Sequence, residues 1–185
     1  MNNVFLANCA VFKPANVHNL CSVLGDDDWY EAALDSQKKW GTPIHVQLAI
    51  MHQESKFKHD ARPPRKWYLG FIPGARPSNA YGYAQALEST WEGYIKSTGN
   101  SGADRDDFSD AIDFIGWYTH TSHKELGISK WDAREQYLAY HEGRGGYKRK
   151  TYRNKAWLVA VADKVKARSL TFSAQYKQCR RQLES

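Results

Sequence analysis

Long apolar runs are missing from this sequence. No stretch approaches the ~20 residues that a helix needs to cross a bilayer, which excludes a helical membrane span within these residues. Cysteine is scarce, with three in 185 residues. No two are spaced Cys-x-x-Cys, which argues against a zinc ribbon or a thioredoxin-like redox site. Internal repeats and low-complexity tracts are absent too, so a repeat array is excluded. The apparent metal motifs are incomplete. His52-Gln53-Glu54 has the His-x-Glu of zinc deaminases without the Pro-Cys-x-x-Cys that goes with it, and His141-Glu142-Gly143-Arg144-Gly145 begins like a zincin but lacks the second histidine. Gly143-Arg144-Gly145-Gly146 follows a helical pattern and has no Lys-Ser/Thr ending, so it does not read as a phosphate loop. Neither a metal nor a cofactor is expected.

What is present begins with size and aromatics. The length suits one domain with a real core. Aromatic residues make up 14 % of the chain, with seven Trp and eleven Tyr, enough to serve both a core and flat ligand surfaces. The formal charge of +6 favours a polyanionic neighbour: nucleic acid, an anionic membrane surface or an acidic cell wall. Lys148-Arg149-Lys150 with Arg153 and Lys155 could contact phosphates, but the peptide carboxylates of a cell wall answer the charge equally well.

The N-terminal residues Val4-Phe5-Leu6-Ala7-Asn8-Cys9 have the order of the end of a bacterial lipoprotein signal, in which apolar residues precede a cysteine that becomes acylated. Asn8 is not the small residue usual before that cysteine, and the apolar stretch is short. If Cys9 is a lipid anchor, Cys21 and Cys179 remain as an even pair near the two ends of the chain, consistent with an oxidising compartment. Closing so long a loop stabilises by about 4–5 kcal/mol on the chain-entropy model. Three unrelated thiols in a reducing compartment is the other reading.

Residues 1–28 read as an irregular lead-in and 29–185 as the domain. Asp28 with Glu31 forms a capping-box pattern for a short helix through Trp29, Ala33 and Trp40, stopped by Gly41. Thr42 and Pro43 suit the cap and first position of a second helix. Between 59 and 79 the pattern breaks at Pro63-Pro64, Pro73-Gly74 and Pro77. Lys66 to Ile72 could form a small β-hairpin there, and Arg62, Arg65, Lys66 and Arg76 make the loop basic. Ser89 with Glu92 opens a helix ending near Gly99. Phe108 to Leu126 is a longer helix capped at Ser109 and stopped at Gly127. Ser129 and Asp132 open the next, which reaches the glycines at 143–146, and a last helix runs from Trp157 toward Cys179. The chain is predominantly α.

The second helix carries the chemical signal. Ile44, Leu48 and Met51 recur at helical spacing, and Ile50 leads one turn on to Glu54, so a carboxyl is delivered onto an apolar face near the helix end. The helix dipole and partial burial there both disfavour the carboxylate and should raise its pKa. A glutamic acid still protonated near neutrality is a general acid. Taken alone, the helix fits an ordinary solvated edge glutamate too.

Three separated stretches bear on that choice. Gln53-Glu54-Ser55-Lys56-Phe57, then Ala80-Tyr81-Gly82-Tyr83-Ala84-Gln85 running into Ser89-Thr90-Trp91, then Ala139-Tyr140-His141-Glu142-Gly143 resemble, in order, the Glu-Ser-x-Phe, Gly-Leu-Met-Gln and Ala-Tyr-Asn-x-Gly motifs of soluble lytic transglycosylase (SLT) domains. The resemblance implies a mainly α, lysozyme-like single domain of the goose-type/SLT kind, with at most a small β-hairpin. It implies Glu54 as the catalytic acid/base that cleaves the bond between N-acetylmuramic acid and N-acetylglucosamine in peptidoglycan glycan strands. Ser55 would fix the helix end, Gly82 would allow close sugar approach, Gln85 would face the cleft, and Tyr140 would bring its hydroxyl close to the Glu54 carboxyl. Tyr81, Tyr83, His141 and Glu142 fall at further substrate-side positions. Ser78 would stand in for a family serine whose place Arg76 takes.

The departures are Tyr83-Ala84 in place of Leu-Met and His141-Glu142 at the Asn and variable positions. Ordinary glycosidases need two carboxyls, and here one has a clear address; the family is thought to manage with one because the substrate's acetamido group attacks the anomeric carbon. Glu142 is the reservation, since a second carboxyl could hold a water and make the enzyme a muramidase. A non-catalytic peptidoglycan-binding module is the remaining alternative. The resemblance also implies a periplasmic location in the bacterial cell envelope, envelope protein partners, a candidate outer-membrane tether at Cys9 and no nucleic-acid partner.

Overall fold

The computed structural model describes residues 11–65, 67–68 and 72–184. Cys9, the candidate lipid site, lies outside the described residues. The elements run α1 (Leu20–Val23), α2 (Asp27–Trp40), α3 (Ile44–Ser55), β1 (Trp67–Tyr68), β2 (Ile72–Pro73), α4 (Glu88–Thr98), α5 (Phe108–Leu126), α6 (Ala133–Lys148), a 3-10 turn (Thr151–Asn154) and α7 (Ala156–Leu183). The mainly α expectation holds. β1 and β2 pair antiparallel in the expected hairpin, Tyr68 opposite Ile72.

The arrangement is built around α3. Val46, Gln47, Ala49 and Ile50 are as buried as Ile44, Leu48 and Met51, so this helix is surrounded rather than one-sided. Helices α2, α5, α6 and α7 all pack against it, α7 most extensively. Polar groups set the crossing of α2, α3 and α5. The Ser36 hydroxyl lies 2.7 Å from Gln47 Oε1 and 3.0 Å from the Ile112 carbonyl, while Gln47 donates to the Thr42 carbonyl at 2.7 Å. The approach is close enough to require glycine at 116, where a Cβ would stand 2.5 Å from Ser36 Oγ and from a Trp40 ring carbon.

Several helix starts differ from the sequence pattern, each for a tertiary reason. Asp26, not Asp28, caps α2 by accepting from the Trp29 amide at 3.2 Å. Thr42 does not cap α3; its hydroxyl is buried 2.8 Å from that of Thr119, and the Ile44 amide donates instead to Gln37 Oε1, at 2.9 Å, from the end of α2. Asp107 rather than Ser109 caps α5, accepting from the Asp110 amide at 3.0 Å. Helix α4 has no side-chain cap from Ser89; the Glu88 amide donates to Asn79 Oδ1 at 3.3 Å. Asp132 caps α6 as expected.

The lead-in is not irregular throughout. Leu20, Val23 and Leu24 of α1 and its flank are buried in the core, and a disulfide joins Cys21 to Cys179 across 158 residues of sequence. The start of the described chain is thereby fastened to the far end of α7.

Candidate active site

Glu54 sits in the last turn of α3, and the chain leaves that helix by an unusual route. Lys56 and Phe57 both take left-handed backbone angles, with φ of 51° and 61°, a conformation that costs roughly 1–3 kcal/mol per non-glycine residue. Phe57 is compensated by burial, packing beside Trp29 and His52. Ser55 is buried and donates back to the Met51 carbonyl at 3.3 Å, so it secures the helix end and leaves the cleft to its neighbour.

The carboxyl of Glu54 enters a cleft of about 460 Å³. Its lining combines Pro63, Ser78, Ala80, Gln85, Ala86, Leu87 and Thr90 with Phe114, Tyr118, Tyr140, His141, Glu142 and Gly143. Burial in these surroundings raises the Glu54 pKa from 4.5 to about 7, and a hydrogen bond from Tyr137 works in the opposite direction without reversing it. No cation is paired with Glu54 among the described residues. Near neutral pH the group can therefore donate a proton and take one back.

Tyr137 was not singled out in the sequence. It lies three residues before Tyr140 in α6, which puts both on one helix face, and that spacing is the signal from which it could have been found. Tyr140 feels the charge of Glu54, but its hydroxyl donates to the Ala84 carbonyl at 2.7 Å. Tyr140 thus ties α6 to the segment 80–86, while Tyr137 is the residue whose hydroxyl favours the charged form of the acid.

That segment distributes its expected site residues unequally. Gln85 faces the cleft in a left-handed conformation, φ 49°, held by its side-chain amide on the carbonyls of Ala61 (2.7 Å) and Gly82 (2.9 Å). Gly82 serves the protein rather than a ligand: a Cβ there would lie 1.8 Å from the Arg105 carbonyl oxygen, with φ at 76°. Tyr83 is turned into the core, edge-on to Trp29 and Phe108, so the expectation that it contacts substrate in this cleft is corrected. Tyr81 is not in the cleft lining either. Its hydroxyl donates to Asp106 at 2.9 Å, and the guanidiniums of Arg62 and Arg105 lie over its ring at 4.5 and 5.4 Å.

Glu142 lies in the cleft wall but its oxygens are occupied. Lys155 donates to Oε1 at 2.7 Å, His141 Nδ1 stands 3.3 Å from the same oxygen, and Thr151 donates to Oε2. Burial by itself would raise its pKa, yet the contacts from Lys155, Thr151 and His141 outweigh it and the net shift is downward. Glu142 is a carboxylate bound to the start of α7 and the preceding turn. Gly143, immediately after it, leaves the helical conformation at φ 72°, ψ 155° and kinks α6 at the cleft edge.

No group of His, Cys, Asp and Glu side chains among the described residues is arranged to hold a metal ion, and no described helix is long and apolar enough to cross a membrane. No curated protein and no solved structure matches the chain. A family match is found, described as Transglycosylase SLT domain, and it covers residues 1–179, the lead-in included. A match over nearly the whole chain, on a mainly α fold with Glu54 at the end of its central helix, places this protein in the Transglycosylase SLT domain family.

Proposed function

We propose that this protein is a peptidoglycan lytic transglycosylase with Glu54 as its sole acid/base. The family supplies the coarse part, action on peptidoglycan in the bacterial envelope. The observation that carries the finer part is the contrast between the two carboxyls of one cleft: Glu54 is partly buried without a cation and is raised to about 7, while Glu142 is held ionised by Lys155, Thr151 and His141. A single group that changes protonation state near neutrality suits a reaction needing an acid first and a base second.

In this reading the protonated Glu54 gives its proton to the glycosidic oxygen as the bond between N-acetylmuramic acid and N-acetylglucosamine breaks. The acetamido oxygen of the muramyl residue holds the anomeric carbon meanwhile. Glu54, now a carboxylate, takes the proton of the muramyl 6-hydroxyl, whose oxygen closes the 1,6-anhydro ring and releases the acetamido group. No water is consumed. Tyr137 keeps the carboxyl in position and stabilises it when charged. Gln85, through its free amide oxygen, and Ser78, which line the same cleft, would meet sugar hydroxyls. The muramidase alternative needs Glu142 to activate a water, and its engagement by three side chains argues against that use.

Mass spectrometry of soluble products from purified peptidoglycan tests this directly. Muropeptides ending in 1,6-anhydromuramic acid are expected. Reducing muramic ends would make the protein a hydrolase, and no release would favour the binding module.

A further inference from the structure

The segment 80–86 borders two cavities. Ala80, Gln85 and Ala86 line the Glu54 cleft, whereas Tyr83 lines a separate and larger cavity of about 660 Å³. The charged lining of this second cavity is acidic throughout: Asp26, Asp28, Glu31, Asp35, Asp106 and Asp107. This is a concentration of one sign on a chain whose net charge is +6.

Some of that charge has structural employment. Asp26 and Asp107 each use one oxygen as a helix cap, Asp106 accepts from Tyr81, and Asp35 pairs with exposed Lys38. Asp28 and Glu31 have no hydrogen-bond or ion-pair partner among the described residues, and none of the described lysines and arginines lines the cavity. The apolar part is aromatic: Trp29 stacks on Phe108 with centroids 3.8 Å apart, and Phe12 meets Trp29 edge-on at 5.0 Å.

An independent observation points to a ligand. Tyr83 as a residue is 2 % exposed and lines the cavity, and no hydrogen bond from a described side chain acts on its hydroxyl. Burial, then the charges of Asp107, Asp106 and Asp26, push its pKa up to about 12. The hydroxyl therefore keeps its proton at neutral pH, in a residue that lines the same cavity as these acids. Lining the cavity, this side chain offers a neutral hydroxyl that an incoming donor could engage in place of water.

We propose that this cavity is a docking site for a basic polypeptide segment that brings at least two lysine or arginine side chains. A bare metal ion does not fit, because no group of described side chains is arranged to hold one and the space is many times larger than an ion. A single ammonium would leave most of the carboxylates unanswered. Alkyl stems of lysine or arginine would lie on Trp29 and Phe12, with their cationic ends among the carboxylates. One donor would reach the Tyr83 hydroxyl. The partner would then sit on the reverse side of the segment that presents Gln85 to the Glu54 cleft.

Fluorescence anisotropy of a labelled octalysine peptide with the intact protein tests the site, with a labelled octaglutamate as control. Octalysine should bind, more weakly as salt is raised, despite the protein's like net charge. The Asp28→Asn/Glu31→Gln/Asp35→Asn triple variant, altered at exposed positions, should weaken binding about tenfold or more. Tyr83→Phe, with an unchanged melting temperature, should weaken it about three- to tenfold through the lost hydroxyl alone. Equal binding by the triple variant would overturn the proposal. So would equal binding by Tyr83→Phe, since surface attraction would then suffice. Free lysine binding as tightly as octalysine would replace the polypeptide with a single amine and overturn it as well. None of these outcomes depends on whether Glu54 cleaves peptidoglycan.

Discussion

Glu54, closing α3, and Glu142, just before the kink in α6, line the same cleft yet end in opposite states. Both carboxyls are desolvated, and desolvation is the largest influence on each. What separates them is the company that follows. Glu142 is met by an ammonium, a hydroxyl and an imidazole, and is held ionised. Glu54 is met by a single phenol, too little to offset its burial, and rises to about 7. A carboxyl is thus made an acid by what is withheld from it. The cleft also needs the left-handed turn at Lys56 and Phe57, which ends the helix directly after Ser55 and keeps Glu54 in its last turn.

The sharpest way to break this comparison is Glu54→Gln, which keeps the shape and removes the proton. Cleavage of peptidoglycan should fall by at least about a hundred- to ten-thousand-fold; a variant retaining a tenth of the rate would end the assignment of the acid. The same substitution should stabilise the fold. The folded pKa lies above the ordinary value of 4.5, so the wild type is most stable below that value. Its stability falls as the pH rises toward about 7 and the partly buried group is forced to ionise. The glutamine has no such cost, and above neutral pH it should gain about 1–3 kcal/mol, read as a higher melting temperature at pH 8 than the wild type but not at pH 4. Equal melting temperatures at both pH values would mean that Glu54 is not desolvated in solution.

This contrast was half legible in the sequence. Glu54 could be placed because helical spacing and a three-motif order are linear properties, and the capped, glycine-stopped helices followed from local chemistry. Tyr137 was missed because it lies outside the Ala139–Gly143 motif, although its place one turn before Tyr140 was available. Glu142 could be noticed but not judged, since its state depends on Lys155 and Thr151 arriving from the turn beyond the kink. The same limit applies to the caps. Thr42 and Ser109 are suitable residue types, yet Gln37 and Asp107 do the work because neighbouring helices decide which side chain is free. Tyr83 carries the lesson furthest, as a motif position that the fold turns away from the cleft.

Tyr137→Phe probes the one stabilising contact that Glu54 has. Removing a hydrogen bond that favours the carboxylate should raise the Glu54 pKa further, by about half a unit to one unit for a bond worth about 1 kcal/mol. The alkaline limb of the kcat/KM profile should move upward by that amount, while the rate at low pH falls less than about tenfold. A limb that stays in place, or moves toward acid, would show that Tyr137 does not act on the charged form.

Glu142→Gln should have the smallest effect on chemistry and a modest one on the fold. If Glu142 serves only to tie α6 to the start of α7, the variant should give the same products as the wild type at a rate within about threefold, while losing about 1–2 kcal/mol of stability at neutral pH. The figure is kept low because Lys155 is 41 % exposed and its ion pair is screened by solvent. Since the Glu142 pKa is depressed in the fold, its contribution is present above the ordinary carboxylate pKa and is lost as the pH falls through the folded value. The melting curves of variant and wild type should therefore converge in acid. The product assay decides the larger issue. Reducing muramic ends that appear with the wild type and disappear with Glu142→Gln would mean that Glu142 activates water despite its contacts, and both carboxyls would then belong to the catalytic machinery.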